Sequence, residues 1–186
     1  MVFRRDHGSW DRRRRRLKRH RYSLDQESRL LVIKSHVLEK LDYCNLLLAN
    51  APMIHLKPLT KVLHAAIRFV YNLRKRDHIS SYLKQAHILP IRFRVMYKTC
   101  VMVFKILNCQ APSYLQDFVT LKPPSHINLR SNRDNLVTEL DTHHERSIQY
   151  AMGKNWNSLP YDIRSSTSLS VFKKNLKTFY FNTAFP

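Results

Sequence analysis

Only two glycines, Gly8 and Gly153, occur among 186 residues, whereas prolines recur at 52, 58, 90, 112, 123, 124 and 160. Glycine is the residue that enters positive φ without a steric penalty, so tight hairpins and glycine-rich loops are not expected of such a chain. Proline removes a backbone donor and restricts the residue before it, which ends helices and breaks central strands. Helices separated by proline breaks satisfy both constraints. The expected fold class is therefore mainly α, with about six helices.

The apolar pattern places most of them. Leu30, Ile33, Val37, Leu41, Cys44 and Leu48 recur at steps of three and four, a helical stripe that should end before Pro52. Pro58 is suited to open a second helix as its first residue. In that helix Leu59, Val62, Ala66, Phe69, Val70 and Leu73 fall on one side, while Lys57, Lys61, His64, Arg68 and Lys75 fall on the other. Asp77 reads as the N-cap of a short helix through Tyr82 and Leu83. Pro90 introduces a longer helix to about Leu107, on which Arg94, Lys98 and Lys105 share a face. Between 120 and 145 the periodicity fails. That irregular stretch holds one β-like segment, Asn135 to Leu140. A helix resumes near Arg146 and stops around Asn157, and Ser168 caps a last one with Leu169, Phe172, Leu176 and Phe179 as its inner stripe.

The formal charge of +20 is unevenly spread. Residues 1–22 hold ten Lys/Arg, among them Arg12, Arg13, Arg14, Arg15 and Arg16, against Asp6 and Asp11. A block of like charge repels itself and lacks a core, so residues 1–27 read as a disordered basic arm and 28–186 as one helical domain. Such an arm attracts polyanions or serves as a nuclear-import signal, giving a nuclear or cytoplasmic location; an arm with no selected role is the alternative. No apolar run approaches the ~18 residues of a membrane span, and the N-terminus has charge where a signal peptide is apolar. Cys44, Cys100 and Cys109 are odd in number and lack paired spacing, so they read as reduced, buried thiols rather than disulfides or metal ligands.

Several chemistries find no support. Two-metal catalysis needs neighbouring carboxylates, and none of the thirteen acids sits beside another in sequence. Two distant glycines cannot build a phosphate-cradling loop. Asp77-His78, His87 and His143-His144 are the visible acid–base candidates, each read more simply as a cap, a packed ring or a loop residue. Trp156 should close against the final helix as core. The expectation is a non-enzyme with no cofactor and no bound metal.

Short phrases follow one another in fixed order: Leu41-Asp42-Tyr43-Cys44-Asn45, Arg76-Asp77-His78-Ile79, His87-Ile88-Leu89-Pro90-Ile91, Ala111-Pro112-Ser113-Tyr114-Leu115, Leu129-Arg130-Ser131 and Trp156-Asn157-Ser158-Leu159-Pro160. The last runs on through Asp162-Ile163-Arg164 to Ser168-Leu169-Ser170-Val171-Phe172-Lys173. From about Ser28 to Phe181 this series resembles the extreme C-terminal region of reverse transcriptases from LINE-type (non-LTR) retrotransposons of the jockey and chicken-repeat kind, beyond the polymerase palm. The palm's Tyr-x-Asp-Asp phrase, the endonuclease and the zinc knuckle of related elements are missing, and Ile88 stands where the family usually has tryptophan. The resemblance implies a non-catalytic thumb-and-tail segment that helps hold template and primer.

Lys57, Lys61, Arg68 and Lys75, with Arg94, Lys98 and Lys105, are candidates to line a phosphate-tracking groove, and Tyr71 is a candidate to stack on a base. The expected partner is RNA or DNA, bound with little regard to sequence. A helical protein-interaction module, or a genomic relic with no selected function, is the alternative. An apolar surface left exposed in it would favour self-association or a protein partner.

Overall fold

The computed structural model describes residues 23–43, 45–122, 136–138 and 147–186. The basic arm through residue 22, Cys44, Leu129-Arg130-Ser131, His143-His144, and Asn135 and residues 139–140 of the β-like segment lie outside them. The described residues are mainly helical, with eight α-helices. α1 (Gln26–Ile33) passes through a π turn (Lys34–Leu38) into α2 (Glu39–Asp42). After a 3₁₀ turn (Asn45–Leu48) come α3 (Met53–Val70), α4 (Ser80–Gln85) and α5 (Ile91–Leu107). A second 3₁₀ turn (Ser113–Phe118) precedes α6 (Ile148–Asn157), α7 (Tyr161–Arg164) and α8 (Leu169–Ala184).

Local signals explain most boundaries. The Asp25 carboxylate accepts the Ser28 N–H and caps α1, while the hydroxyls of Ser147 and Ser168 accept from Tyr150 and Val171 and cap α6 and α8. Pro90 and Pro160 stand just before α5 and α7. Pro58 does not open its helix: α3 begins five residues earlier, after Pro52, and carries Pro58 inside it. Ile54, whose carbonyl a residue with an N–H at position 58 would have bonded, is exposed to solvent. The first stripe is also interrupted sooner than its periodicity suggested. Tyr43 turns extended after Asp42, and Leu48 belongs to the following 3₁₀ turn. Asp77 is not a helix cap; Ile79 holds that position before α4, and the Asp77 carboxylate binds the Arg74 N–H instead.

The scarcity of glycine does not prevent positive-φ turns. α3, α4 and α5 end on Asn72, His87 and Cys109, with φ of 58°, 53° and 53°. In each the next N–H reaches back five residues, from Leu73 to Arg68, Ile88 to Leu83 and Gln110 to Lys105, at 3.1, 3.0 and 2.7 Å. This closes orphan carbonyls as a glycine-terminated helix would, at the steric cost of a side chain in the left-handed region. Where Asn135 to Leu140 was expected to form a strand, its described residues 136–138 contribute an isolated antiparallel bridge, Val137 to Leu121.

α5 is the shared wall of two cores. Its first turns place Ile91 and Val95 among Ile33, Val37, Leu63, Ile67, Val70, Leu83 and Ile88. Its later turns place Cys100, Val103, Phe104 and Ile106 against α6 and α8. That second core is aromatic: Phe104 stacks on Phe172 with centroids 4.4 Å apart, and Trp156 meets Phe172 at 5.7 Å. Burying each such side chain contributes roughly 1.5–3 kcal/mol. Trp156 is core, as its position before a turn suggested, and Tyr180 and Leu176 join Phe172 on the buried face of α8 while Leu169 and Phe179 are only partly covered.

Candidate nucleic-acid interface

α3 is where core and charge separate most sharply. Leu63, Ala66, Ile67 and Val70 are fully covered, while Lys57 and Lys61 stand exposed one helical turn apart. Neither has an ion-pair partner among the described residues. His64 and Arg68 continue the row half-buried. Desolvation, and secondarily the neighbouring Arg68 guanidinium, hold the His64 imidazole below its ordinary pKa, so near neutral pH it is mostly uncharged. Arg68 Nε donates to the Arg74 carbonyl at 3.3 Å. Lys75 lies beyond the helix end, in the turn that follows, and is exposed.

Tyr71 is half-buried, its ring 5.0 Å from that of Tyr82 in a tilted contact, and burial raises its hydroxyl pKa. The ring offered for base stacking is thus packed on a neighbouring helix.

The cations of α5 have a different fate. Arg94 grips the Asp42 carboxylate with both arms, through Nε on Oδ1 and a 2.8 Å contact from the second guanidinium nitrogen to Oδ2. Lys98 reaches the same carboxylate at 3.2 Å, and the Asn45 amide donates to it at 3.1 Å. Arg94 and Asp42 keep only 19% and 16% of their side chains exposed, so a shielded pair, with the more exposed Lys98 at its edge, ties the end of α2 to α5. Lys105 is half-buried further along α5. The structure therefore turns Arg94 and Lys98 toward an acid, and α5 does not present them as a second free row.

Three exposed cations near these rows escaped the sequence reading. Arg74 and Arg76 flank Lys75, and the unbroken Arg74-Lys75-Arg76 run was the signal; it lies past the helix and so outside a search by helical face. Arg92, exposed on the first turn of α5, was also passed over. Among the thiols, Cys100 is buried, pushed up to about 12 by desolvation and hydrogen-bonded to the Tyr180 hydroxyl. Cys109 is exposed, contrary to the expectation that all three would be buried.

Several of the ordered phrases have structural tasks. Asp42 organises the cluster above, and Ile88 is buried in the first core, which accounts for an aliphatic residue there as a packing choice. Asn157 holds Val137 through a pair of bonds, Oδ1 accepting the N–H and Nδ2 donating to the carbonyl, both at 2.9 Å. Leu159 and Ile163 are buried beside Trp156, and Arg164 donates to the Asn157 carbonyl at 3.4 Å.

His78 and His87 are exposed, and His87 lies over the Phe181 ring at 5.6 Å. Among the described residues no three His, Cys, Asp or Glu side chains are grouped to hold a metal ion, and no helix is long and apolar enough to cross a membrane. Comparison with protein-family models, curated proteins and solved structures finds no match.

Proposed function

We propose that this chain is a non-catalytic helical module, derived from the C-terminal region of a LINE-type reverse transcriptase, that binds RNA or DNA through phosphates with little sequence preference. The observation that carries the reading is the one-signed surface around α3. Residues 51–110 hold eleven Lys/Arg against Asp77 alone, and Lys57, Lys61 and the Arg74–Arg76 run are exposed. Cations so placed bind a polyanion by releasing its condensed counterions. The retrotransposon origin is supported by the ordered phrases, in which Asp42, Ile88 and Trp156 are among the described residues that anchor the fold.

The test is fluorescence anisotropy of the full chain with a labelled single strand and a duplex at several salt concentrations. Binding to both is expected, with log affinity falling linearly against log salt. Absence of binding at low salt, or affinity indifferent to salt, would overturn the reading. Primer extension with magnesium or manganese above a buffer blank would overturn the non-catalytic part.

A second reading, a protein-interaction module, rests on a cavity of about 460 Å³ lined by Leu46, Leu47, Asn50, Ala51, Pro52, His55, Ser147 and Ile148. Leu47 on its wall stands exposed, as do Met53 and Ile54, which follow Pro52 in sequence. Apolar association there would survive added salt, which separates the two readings.

A further inference from the structure

The turn after α3 is more tightly built than a solvated charge run requires. The Arg74 carbonyl accepts the Asp77 N–H at 3.3 Å, closing a β-turn with Lys75 and Arg76 at its two central positions. The Asp77 carboxylate reaches back to accept the Arg74 N–H at 2.6 Å, and Arg68 Nε donates to that same Arg74 carbonyl. On either side Leu73 packs on the first core and Ile79 is buried within it. The segment between these anchors is clasped across its mouth, while Arg74, Lys75 and Arg76 all remain exposed. Its one acid has an oxygen occupied by backbone, so its carboxylate faces the mouth of the turn.

We infer that the Arg74–Asp77 turn is a preformed phosphodiester-binding tip, in which Lys75 and Arg76 meet adjacent phosphates of a nucleic-acid strand and Asp77 acts as a positioning residue. This rests on the nucleic-acid reading above and names the part of the surface that makes the closest contact. Holding the turn before binding removes ordering entropy that a free loop would lose on contact, so these cations contribute more than equally charged flexible ones. The guanidinium of Arg76 can engage two phosphate oxygens at once, whereas Lys75 acts as a point charge.

Asp77 makes the idea separable from diffuse attraction. Asp77→Ala raises the net positive charge, so attraction by charge alone tightens binding; it also opens the clasp, so a positioned tip binds more weakly. Asp77→Asn removes the charge but keeps an acceptor for the Arg74 N–H. The experiment titrates a labelled single-stranded oligonucleotide with the full chain and three variants, with helical circular dichroism as a check on folding. Acetylation of lysines in the presence and absence of oligonucleotide is read by mass spectrometry. Expected are a roughly tenfold loss for Lys75→Ala with Arg76→Ala and a shallower salt slope. Asp77→Ala should lose about threefold, Asp77→Asn should bind at least as well as the parent, and Lys75 should be protected from acetylation more than Lys34 on the π turn. If the parent chain binds no oligonucleotide, the nucleic-acid reading fails and the tip with it. If it binds but the Lys75/Arg76 variant matches it, or Asp77→Ala is unchanged or tighter, the tip is refuted while the broader reading stands. Equal protection of Lys75 and Lys34 likewise refutes the tip.

Discussion

Along α3, Lys57 and Lys61 stand in solvent with no acid paired to them among the described residues, whereas along α5 Arg94 and Lys98 converge on Asp42. In sequence the two rows look alike, each a pair of cations four residues apart on an amphipathic helix. What separates them is a carboxylate some fifty residues upstream of Arg94, brought beside it by the packing of α2, the 3₁₀ turn and α5. A cation row is available for binding only if the fold leaves it unpaired, and helical spacing does not decide that.

The largest expected effect breaks the α5 side of this contrast. Asp42→Ala strands a mostly shielded Arg94 and should cost about 2–3 kcal/mol, below the full figure for a wholly buried pair because both partners keep some water contact. Lys61→Ala should stay within about 0.5 kcal/mol of the parent. Urea denaturation of both variants checks this, and equal stabilities would mean that the Asp42 cluster is as incidental as an exposed pair. The loss of the acid should also free Arg94 and Lys98, so whatever Asp42→Ala protein remains folded should bind oligonucleotide more tightly.

A second expectation concerns the aromatic core on the far side of α5. The Cys100 thiol is held near 12 by burial, against an ordinary value of 9.0. Since the folded pKa is the higher one, the thiol's contribution to stability is complete below pH 9. It is lost as pH rises from 9 toward 12, at up to about 1.4 kcal/mol per pH unit. Burial also raises Tyr180, which acts in the same direction. Stability measured by denaturant from pH 8 to 11 should fall, and fall less steeply in Cys100→Ala. At pH 8 in native protein, iodoacetamide should modify exposed Cys109 and spare Cys100.

Smaller effects are expected at the helix ends. His87→Gly and Cys109→Gly relieve side chains held at positive φ and should each raise stability by about 1 kcal/mol, while Asn72→Gly should gain less because asparagine tolerates that region. Thermal unfolding of the three variants distinguishes them. No gain at either His87 or Cys109 would show that the side chain's own contacts outweigh the backbone relief.

The helical class was legible from glycine and proline usage, and the capping role of Ser168 and the place of Pro90 before α5 were legible locally; α7 after Pro160 was not foreseen. These are short-range effects, carried by a residue and its next few neighbours. The clasp of Asn157 on Val137 and the grip of Arg94 on Asp42 join residues 20 and 52 positions apart, and no periodicity signals either. Positive φ at His87 was hidden for a related reason: burial of Leu83 and Ile88 in the first core supports a turn that the side chain itself disfavours. The candidate site was half visible. Exposed Lys57 and Lys61 were found from the helical wheel, while the Arg74–Arg76 turn lay beyond its reach and Tyr71 was already packed on Tyr82.

The most direct test of the contrast compares Lys61→Ala with Lys98→Ala, which remove the same charge from α3 and α5. Both are made in the full chain with Arg12 to Arg16 changed to serine, so that the arm does not mask the difference. Anisotropy with a single-stranded oligonucleotide is measured from low to moderate salt. Lys61→Ala should bind several-fold more weakly, with a salt slope reduced by about 0.7, the loss of one phosphate contact, and Lys98→Ala should match the parent in both. Equal losses in the two variants, or a loss confined to Lys98→Ala, would contradict the assignment of binding to the unpaired cations of α3.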